Sequence, residues 1–545
     1  MPAKKFTALL IFVLTAVFNV YTLLPSLAWG DGVKLQSEVI AGESFVLAEM
    51  PPHEFSPDPF IFSRVGVAAW DHPLYIITGN LLVKALPFVD SLWLVNFISA
   101  LFGAGSVALV FLIVQRFTNS AFASSYASLS LAVSHTFWWH SSTPEVYTLF
   151  VFLLLLSFIF FDRFEKTNRN GYLGYSAFFF GLAASTHVLA FLAIPALGLY
   201  YLLCKSYRNF NTIELKKLSL PTFGFLAGFS IYLIQFVRMS ANFPFKEIIG
   251  PVVGSTFLSQ LGTFSPGVLL QSLLSYLFFL TVQFGPFGII SGTLGFRNVF
   301  DRRDLSLRKI VALFIMFALF GIFYRVTDQF TFFIASYVFW AMLMGIGTHY
   351  ALSRIPEKRR FLLPGFLALF FLATPFFYTA LPGLAQRYGL NDASIGIPKI
   401  GTGVRNGLAY YINPNKRGDH NAYEFGSQVI SSVAQDAIVI AEWYTDTDEY
   451  FILRYFTKVD PVRSDVTVIG WATQDPFSFD SRLALDMIED SFPRRPVYLA
   501  SLSDRFYSAS KLIEMYCIVP ENNLYRLYPK ESNNPQCLGR EAITE

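Results

Sequence analysis

Ionisable side chains in this sequence collect where long apolar runs end. Asp31 is the first charged residue after an apolar stretch, in WGDGVKL, and Asp71 and His72 stand together in WDHPLY. Similar positions are taken by His135, His140, Glu145, His187, Arg238, Arg325 and Asp328. A charge at the centre of a bilayer costs about 2.5–3.5 kcal/mol, and an ion or proton pathway would place such charges in mid-span. The pattern therefore predicts a polar site at one face of a membrane.

A carboxylate accompanied by cations fits one kind of chemistry, the inverting transfer of a group from a lipid-linked donor. The carboxylate accepts the proton of an acceptor hydroxyl, and the cations hold the departing phosphate. Both must lie where a polyprenyl tail can remain in lipid. Zinc-site spacings, a P-loop and a dinucleotide fingerprint do not occur in the sequence, and nothing in it indicates a nucleic acid partner.

Each residue also has a purely structural explanation. Asp31 can be the polar exit of a hydrophobic helix. Asp71 can cap the helix that follows it, with His72 and a proline in the first turn.

The segment SSTPEVY has the pattern of a helix start. Thr143 fits the N-cap, Pro144 the first helical position and Glu145 the first turn, where the helix dipole favours an acid. The remaining candidates can be buried interface histidines or a local ion pair, namely His140, His187, Arg325 and Asp328. The residues indicate a site because they occur together, and none of them is decisive alone.

The elements that position these residues are membrane spans. The chain is 54% hydrophobic and only 14% charged, whereas a soluble domain is typically about 25% charged. We predict about eleven spans, each close to the roughly 20 residues that cross a bilayer: 6–28, 91–115, 121–138, 146–162, 171–186, 188–204, 218–237, 268–294, 310–324, 331–352 and 361–380.

The distribution of basic residues predicts the orientation of these spans. With the N-terminus inside, the inner segments carry nineteen Lys and Arg, and the outer segments before residue 381 carry six. This is the bias of the positive-inside rule. Eleven spans then place residues 381–545 outside the cytoplasm, in an integral membrane protein of the plasma membrane, or of the inner membrane in a bacterium.

The first apolar run has a second interpretation as a signal peptide. Lys4 and Lys5 precede it, and SLA resembles a small-residue cleavage site. The run is longer than a signal core and close to a full span, so we predict that it is retained.

Two segments outside the membrane are large. The first outer loop covers about 29–90, and its HPLYIITGNLLVKALPF stretch is apolar but short, which favours a helix on the membrane surface. In residues 381–545, AIVIAEW, DVTVIGW and RRPVYLA have strand character and SRLALDMIEDSF has helical spacing. These patterns predict a soluble α/β domain, in which Cys517 and Cys537 can pair only in an oxidising compartment.

The sequence resembles the multi-span GT-C glycosyltransferases, in particular the branch that includes a eukaryotic protein O-mannosyltransferase and many uncharacterised bacterial membrane proteins of the DUF2723 type. The motifs are GDGVKL, DHPLYIITGNLL, HTFWWHSSTPEVYTL, STHVLAFLAIPAL and TDQFTFFIASYVFWA, followed by AEWYTDTDEYFILRYF, RSDVTVIGW and RRPVYLA. The resemblance covers most of the chain in order.

The resemblance also assigns positions. Asp31 aligns with the acid of the first outer loop that serves as base in GT-C enzymes, and His72 aligns with the histidine that begins the family's proline motif. Glu145, His187 and Asp328 fall on later polar positions of the family. Two departures stand out: the second acid of the first motif is Lys34 here, and a longer proline motif is reduced to HPLY.

We therefore expect a mainly α polytopic membrane protein with a transmembrane GT-C-like domain at 1–380 and a soluble α/β domain at 381–545. Its expected function is inverting transfer of a sugar, mannose by resemblance, from a polyprenyl-phosphate donor to a hydroxyl of a protein or glycan acceptor. The expected base is Asp31, and the residues expected at the donor phosphate are His72, Arg64, Arg238 and Arg325. Further site residues are Asp71, Glu145, His187 and Asp328.

Two questions stay open at this point. Asp31 alone offers too few ligands for a divalent metal, so Glu38 or Glu43 would have to join it. Because Lys34 replaces an acid, the alternative function is a lipid-glycan transporter or scaffold that kept the fold without the activity.

Overall fold

The computed structural model describes residues 2–47, 60–63, 65–204, 215–245, 248, 265–301, 305–326, 328–356, 362–390, 407–441, 449–470, 481–532 and 535–543.

The N-terminal two thirds of the chain is helical. Its helices are α1 (Pro2–Tyr21), α2 (Asp31–Ala41), α3 (Pro73–Ala85), α4 (Ser91–Thr118), α5 (Ala121–Ala132), α6 (His135–Ser142), α7 (Tyr147–Thr167), α8 (Asn170–Thr186), α9 (Ala193–Leu203), α10 (Leu215–Ser240), α11 (Pro266–Asp301), α12 (Arg308–Phe323), α13 (Gln329–Phe332), α14 (Ile334–Arg354) and α15 (Leu362–Arg387). Short 3-10 turns occupy Val188–Leu192 and Leu305–Leu307.

The protein is a mainly α polytopic membrane protein, as predicted. Among the described residues, seven helices are long and apolar enough to cross a membrane, and they lie in α1, α4, α7, α10, α11, α12 and α15. The other four predicted spans also fall on helices. One of these, α14, is enclosed by the bundle, with every residue from Ile334 to Thr348 buried.

Two predicted spans were wrong in extent. The run 121–138 is broken at Val133 and Ser134 into α5 and α6, because Ser134 turns back and donates both its backbone N–H and its hydroxyl to Leu131 O. At 12 residues, α5 is about 18 Å long, less than the hydrocarbon core. The first helix ends at Tyr21 rather than at residue 28, ahead of a non-helical stretch that contains Pro25.

Glycines allow the helices to approach each other at backbone distance. A Cβ atom at Gly295 of α11 would lie 1.9 Å from Leu343 O of α14, and one at Gly228 of α10 would lie 2.1 Å from Phe178 O of α8. Such small-residue contacts drive helix association in lipid, where hydrophobic burial supplies no force between helices.

The two ends of the bundle differ in charge. At the end where α1 begins, Lys4 donates to Asn119 Oδ1 at 2.6 Å, and the buried Lys309 lies 2.6 Å from both Asp162 and Glu165. Asp31 follows the opposite end of α1, which is about 30 Å away by helix length. The bundle thus separates a basic end from the end that carries the candidate site.

Two short elements complete the first loop. Strands β1 (Phe45–Leu47) and β2 (Phe60–Phe62) pair antiparallel. The helix predicted in the HPLYIITGNLLVKALPF stretch is confirmed as α3, and it packs on α2 through Gly79, where a Cβ atom would lie 2.6 Å from Val39 Cγ1.

The C-terminal part is an α/β unit around a five-stranded sheet. Its strands are β3 (Ile438–Ile440), β4 (Thr467–Ile469), β5 (Val497–Leu499), β6 (Tyr516–Glu521) and β7 (Leu524–Pro529), in the order β4-β3-β5-β7-β6. Strand β3 is parallel to β4 and β5, and β7 is antiparallel to β5 and β6. Its helices are Gly407–Ile412, Asn421–Ser432, Glu449–Arg454, Ser481–Ser491, Asp504–Tyr507 and Ala509–Met515, with a π-helix at Tyr455–Val459 and a 3-10 turn at Arg540–Ala542.

The first three strands and the helix Ser481–Ser491 match the sequence patterns, but the β6–β7 hairpin was not predicted. Its turn residues Asn522 and Asn523 both have positive φ, as a two-residue hairpin turn of type I′ requires. Cys517 at the start of the hairpin forms a disulfide with Cys537, and Cys204 is a free, buried thiol.

The C-terminal unit packs on the end of the bundle that carries Asp31. Trp29 and Phe45 from the first loop share a buried cluster with Phe425 and Phe451. The backbone N–H of Lys416 donates to Thr22 O at 3.0 Å, just beyond the end of α1. The candidate site is therefore bounded by the membrane helices and by this unit.

Candidate functional site

Helix α2 presents three ionisable side chains on one face. Asp31, Lys34 and Glu38 follow the i, i+3, i+7 spacing of a helical stripe. Asp31 is the first residue of the helix, after Gly30 with φ 69°, a conformation that favours glycine. A Cβ atom at Gly32 would lie 3.1 Å from Pro144 Cγ, so the start of α2 is pressed against the link that precedes α7.

Lys34 ties this stripe to the start of α3. Its Nζ lies 2.8 Å from Glu38 Oε1 and 2.8 Å from Asp71 Oδ1. Glu38 Oε1 also accepts the backbone N–H of Phe45 at 2.8 Å. Glu38 is fully buried, whereas Lys34 is one-fifth exposed.

The two carboxyl groups beside Lys34 differ in their tendency to ionise. Burial and the neighbouring charge of Asp71 hold the pKa of Glu38 well above its usual range. Burial opposes ionisation of Asp71 as well, but Lys34 and a hydrogen bond from Glu38 lower the pKa of Asp71 to about 2. Glu38 Oε2 and Asp71 Oδ2 are both buried without a hydrogen-bond partner among the described residues, and a proton on Glu38 would supply a donor for this pair of acceptors.

Asp71 is therefore not the cap of α3, contrary to the structural explanation considered for it. The N-cap position belongs to His72, whose side chain makes no capping bond, and Pro73 follows in the first turn. Asp71 is displaced from that role because its carboxylate is engaged by Lys34.

His72 has an unusual backbone and a fixed tautomer. Its φ of 53° and ψ of 50° lie in the left-handed region, which costs about 1–3 kcal/mol for a residue other than glycine and is concentrated at functional sites. Its ring Nδ1 lies 2.8 Å from Thr186 O. A carbonyl oxygen only accepts, so Nδ1 carries the proton and Nε2 of the neutral ring is the acceptor.

His187 stacks on His72 with the opposite tautomer. The ring centroids are 5.1 Å apart, with 25° between the planes. The backbone N–H of Leu189 donates to His187 Nδ1 at 3.1 Å, so the proton of the neutral ring is on Nε2. The row of rings continues through Tyr147, with its centroid 5.1 Å from His187, to His140, 5.0 Å further on.

Glu145 lies in the link between α6 and α7, and the predicted helix start at Thr143 was wrong. Thr143 ends α6 by donating to Trp139 O at 2.9 Å, and α7 begins only at Tyr147. The link stays non-helical because Ser99 Oγ of α4 accepts the backbone N–H of Glu145 and donates to its carbonyl oxygen, both at 3.0 Å.

The acids of three segments influence one another electrostatically. Burial raises the pKa of Glu145, and the charges of Asp31 and Asp328 raise it further. Burial also raises the pKa of Asp31, while Lys34 and His72 lower it and Asp71 raises it. Asp31 is surrounded by other residues but remains exposed to solvent.

The structure thus brings together Asp31, Asp71, His72, Glu145, His187 and Asp328. The arginines have other described contacts. Arg238 donates to Gln235 Oε1 at 3.4 Å and lies against Gly66. Arg325 donates to Val268 O at 3.3 Å and to Ser272 Oγ at 3.1 Å. Arg64 lies outside the described residues.

The described residues do not fit a divalent metal. No group of three or more His, Cys, Asp or Glu side chains in the described ranges is arranged to hold an ion. Glu38, which would have to join Asp31, is engaged by Lys34 and by the Phe45 N–H.

The sequence interpretation missed two features of the site. The first is the bridging role of Lys34, although the D-x-x-K-x-x-x-E spacing of α2 places Asp31, Lys34 and Glu38 on one helical face. The second is Tyr147, whose ring joins the histidines. Its signal was its place two residues after the Thr-Pro-Glu sequence.

The fold is that of known membrane enzymes. ArnT from Cupriavidus metallidurans bound to undecaprenyl phosphate has a TM-score of 0.60 at 12% identity, over 97% of this chain and 99% of that one. The apo state of the same enzyme has a TM-score of 0.57 at 13% identity, over 97% and 98%. The apo oligosaccharyltransferase from Archaeoglobus fulgidus has a TM-score of 0.49 at 12% identity, over 97% and 75%. Among curated proteins, none matches the chain.

The chain has the fold of the ArnT structures, as the GT-C resemblance of the sequence led us to expect, and seven of its described helices are long and apolar enough to cross a membrane. More particularly, residues 71–211 match the family model described as the protein O-mannosyl-transferase TMEM260 N-terminal domain. The matched region begins at Asp71 and includes His72, Glu145 and His187.

Proposed function

We propose that this protein transfers a sugar, with inversion, from a polyprenyl-phosphate donor to a hydroxyl group of a protein or glycan acceptor. The observation that carries the proposal is the convergence of Asp31, His72, Glu145, His187 and Asp328 at one end of a GT-C-fold bundle. ArnT of the same fold binds undecaprenyl phosphate, and the O-mannosyl-transferase family model supports mannose as the sugar.

Asp31 is the proposed base. It lies at the N-terminus of α2 beside the membrane helices, and its side chain is accessible. Its carboxylate accepts the proton of the acceptor hydroxyl as the hydroxyl oxygen attacks the anomeric carbon. Lys34 and His72 favour the ionised form that a base requires, against the burial and the Asp71 charge that oppose it.

The polyprenyl phosphate leaves from the opposite face of the sugar. His72 is the proposed partner of that phosphate, together with Arg64, Arg238 and Arg325. Burial lowers the pKa of His72, and the tautomer set by Thr186 leaves Nε2 as an acceptor. His72 therefore donates to the phosphate only after it takes up a proton, which the phosphate charge promotes.

The site is proposed to face the outside of the cytoplasmic membrane. The basic residues at the other end of the bundle, with Lys4 at its edge, support a cytoplasmic N-terminus. Residues 1–380 would form the transmembrane domain and 381–545 an extracytoplasmic domain, which the Cys517–Cys537 disulfide supports.

The test is donor-dependent transfer in membranes that contain either the wild type or Asp31→Asn. Polyprenyl-phosphate mannose labelled in the sugar serves as donor, and label in protein or glycan is measured. Label that depends on the wild-type protein and is lost with Asp31→Asn supports the proposal. Binding of the donor without transfer by the wild type would favour the transporter or scaffold.

A further inference from the structure

Lys34 occupies the position of an acid in the family that the sequence resembles, and the structure gives it a defined place. It lies one helical turn after Asp31 and contacts Asp71, the neighbour of His72 in sequence. The Lys34 side chain therefore connects α2, which carries the proposed base Asp31, to Asp71, the residue just before the proposed phosphate ligand His72.

We propose that Lys34, Glu38 and Asp71 form a positioning bracket that fixes the distance between Asp31 and His72 and sets the charge around Asp31. This inference rests on the proposed function for its catalytic consequence, but the bracket itself is a structural arrangement that can be tested without activity. Lys34 acts through its neighbours and does not itself touch the reacting atoms.

The geometry supports a bracket rather than a surface ion pair. Lys34 Nζ is 2.8 Å from each of two carboxyl groups, one on its own helix and one 37 residues later. Glu38 is fully buried and is also held by the backbone N–H of Phe45. Removal of one partner from such a buried group leaves an uncompensated charge, which is strongly destabilising.

The strain at His72 gives the bracket a function. The left-handed conformation of His72 persists only where its surroundings enforce it. Asp71 is held by Lys34 on one side, and the His72 ring is held by Thr186 on the other. Without Lys34, the first of these two constraints is lost and the chain at His72 can relax.

The bracket also predicts opposite electrostatic effects for its two charged members. The groups that face Asp31 are Lys34 on α2, Asp71 and His72 before α3, Glu145 in the link before α7, and Tyr147 at the start of α7. Lys34 lowers the pKa of Asp31 and Asp71 raises it. Loss of Lys34 should shift the acid limb of the pH–rate profile to higher pH, because Asp31 must be ionised to act as base. Loss of the Asp71 charge should shift the acid limb to lower pH.

The activity experiment compares Lys34→Met, Lys34→Arg and Asp71→Asn in transfer from polyprenyl-phosphate mannose across a range of pH. Lys34→Met should lower kcat by about 10²-fold, the cost of misplacing a reacting group by about 1 Å. It should also shift the acid limb of the pH–rate profile to higher pH. Lys34→Arg should retain most of the wild-type rate, and Asp71→Asn should shift the acid limb to lower pH. Shifts in the same direction for Lys34→Met and Asp71→Asn would overturn the bracket.

A second set of measurements does not require activity. Hydrogen exchange followed by mass spectrometry should show faster exchange around residues 66–79 in Lys34→Met, and no change in Lys84→Met, an exposed lysine at the end of α3. The infrared signal of a protonated carboxyl at neutral pH should disappear in Glu38→Gln. Unchanged exchange in Lys34→Met, or an unchanged infrared spectrum in Glu38→Gln, would contradict the bracket.

The two sets of results separate the possible failures. A wild type that transfers no sugar refutes the proposed function, while exchange and infrared data still decide whether the bracket exists. If Lys34→Met does not fold, the double variant Lys34→Met with Asp71→Asn removes both charges and leaves no unpaired ion. The double variant should fold and should show fast hydrogen exchange at residues 66–79. The acid limb of its pH–rate profile should lie near the pH of the wild-type limb. Wild-type exchange rates in this variant would overturn the proposal.

Discussion

The imidazole rings of His72 and His187 stack with their centroids 5.1 Å apart, and their tautomers are fixed in opposite senses. Thr186 O requires a proton on Nδ1 of His72, and the Leu189 N–H requires an unprotonated Nδ1 on His187. In the neutral pair, His72 thus has a free acceptor and His187 a free donor nitrogen. The proposed binding of the donor phosphate to His72 therefore implies proton uptake by the ring.

This coupling predicts that donor binding strengthens as the pH falls. Burial lowers the pKa of free His72, and the donor phosphate raises it when bound. Between these two values, affinity for polyprenyl-phosphate mannose should rise by about tenfold per pH unit. Its phosphodiester keeps one charge over this range, so the donor does not titrate. Titration calorimetry between pH 5 and pH 8 measures the slope, with proton uptake determined from buffers of different ionisation enthalpy.

The variant His72→Asn should bind with little dependence on pH. Its matched control is His420→Asn, since His420 is exposed in the C-terminal unit and makes no capping bond with its side chain. An affinity for His72→Asn that rises with falling pH as in the wild type would exclude His72 as the titrating group.

The sequence predicts the helices of this protein better than its site, for a physical reason. A span is read from about twenty consecutive residues, and all eleven predicted runs fall on helices. The contact between Lys34 and Asp71 joins residues in two different segments, and no local pattern specifies which lysine meets which acid. The left-handed residue His72 likewise lies beside two non-local contacts, Lys34 with Asp71 and the His72 ring with Thr186 O, which the HPLY motif does not specify.

Orientation of the chain gives the next prediction. The C-terminal unit should lie outside the cytoplasm. The basic end of the bundle, where Lys4 lies, should be cytoplasmic, and eleven spans, an odd number, would place the C-terminal unit on the opposite side of the membrane. A reporter active only in the cytoplasm, fused after residue 545, should be silent. In the native protein, a thiol reagent should label Cys517 and Cys537 only after reduction. Strong reporter activity would require an even number of spans.

The N-terminal helix should be retained in the mature protein. It is built into the bundle, since buried Asn19 donates to Ala100 O of α4 at 3.0 Å and Thr22 Oγ1 accepts the indole N–H of Trp138 at 2.9 Å. Loss of α1 would leave these buried groups unpaired, at about 1–3 kcal/mol each. Intact mass measurement should include residues 2–28. A mature chain that begins at Trp29 would show that a signal peptide is cleaved.

The chemistry gives the final prediction, a separation of rate from affinity. Asp31→Asn keeps the size of the side chain but cannot accept a proton, so kcat should fall by about 10²–10⁴-fold with little change in donor Kd. Arg238→Ala or Arg325→Ala should instead weaken donor binding, since a charge-assisted hydrogen bond is worth about 1.5–3 kcal/mol, or roughly tenfold or more in Kd. Transfer rates and donor binding are measured on the same purified samples.

Two controls match these changes. Asp90→Asn alters an acid of the same outer loop at the N-cap of α4, where asparagine caps about as well as aspartate. Arg494→Ala removes an exposed arginine of the C-terminal unit. Both should retain rate and affinity. Full transfer by Asp31→Asn would remove Asp31 as base, and full donor affinity in both arginine variants would leave His72 and Arg64 as the remaining candidates for the phosphate. Since Asp31 and the arginines act on different quantities, a parallel loss of rate and affinity in all three variants would contradict the assignment of separate roles.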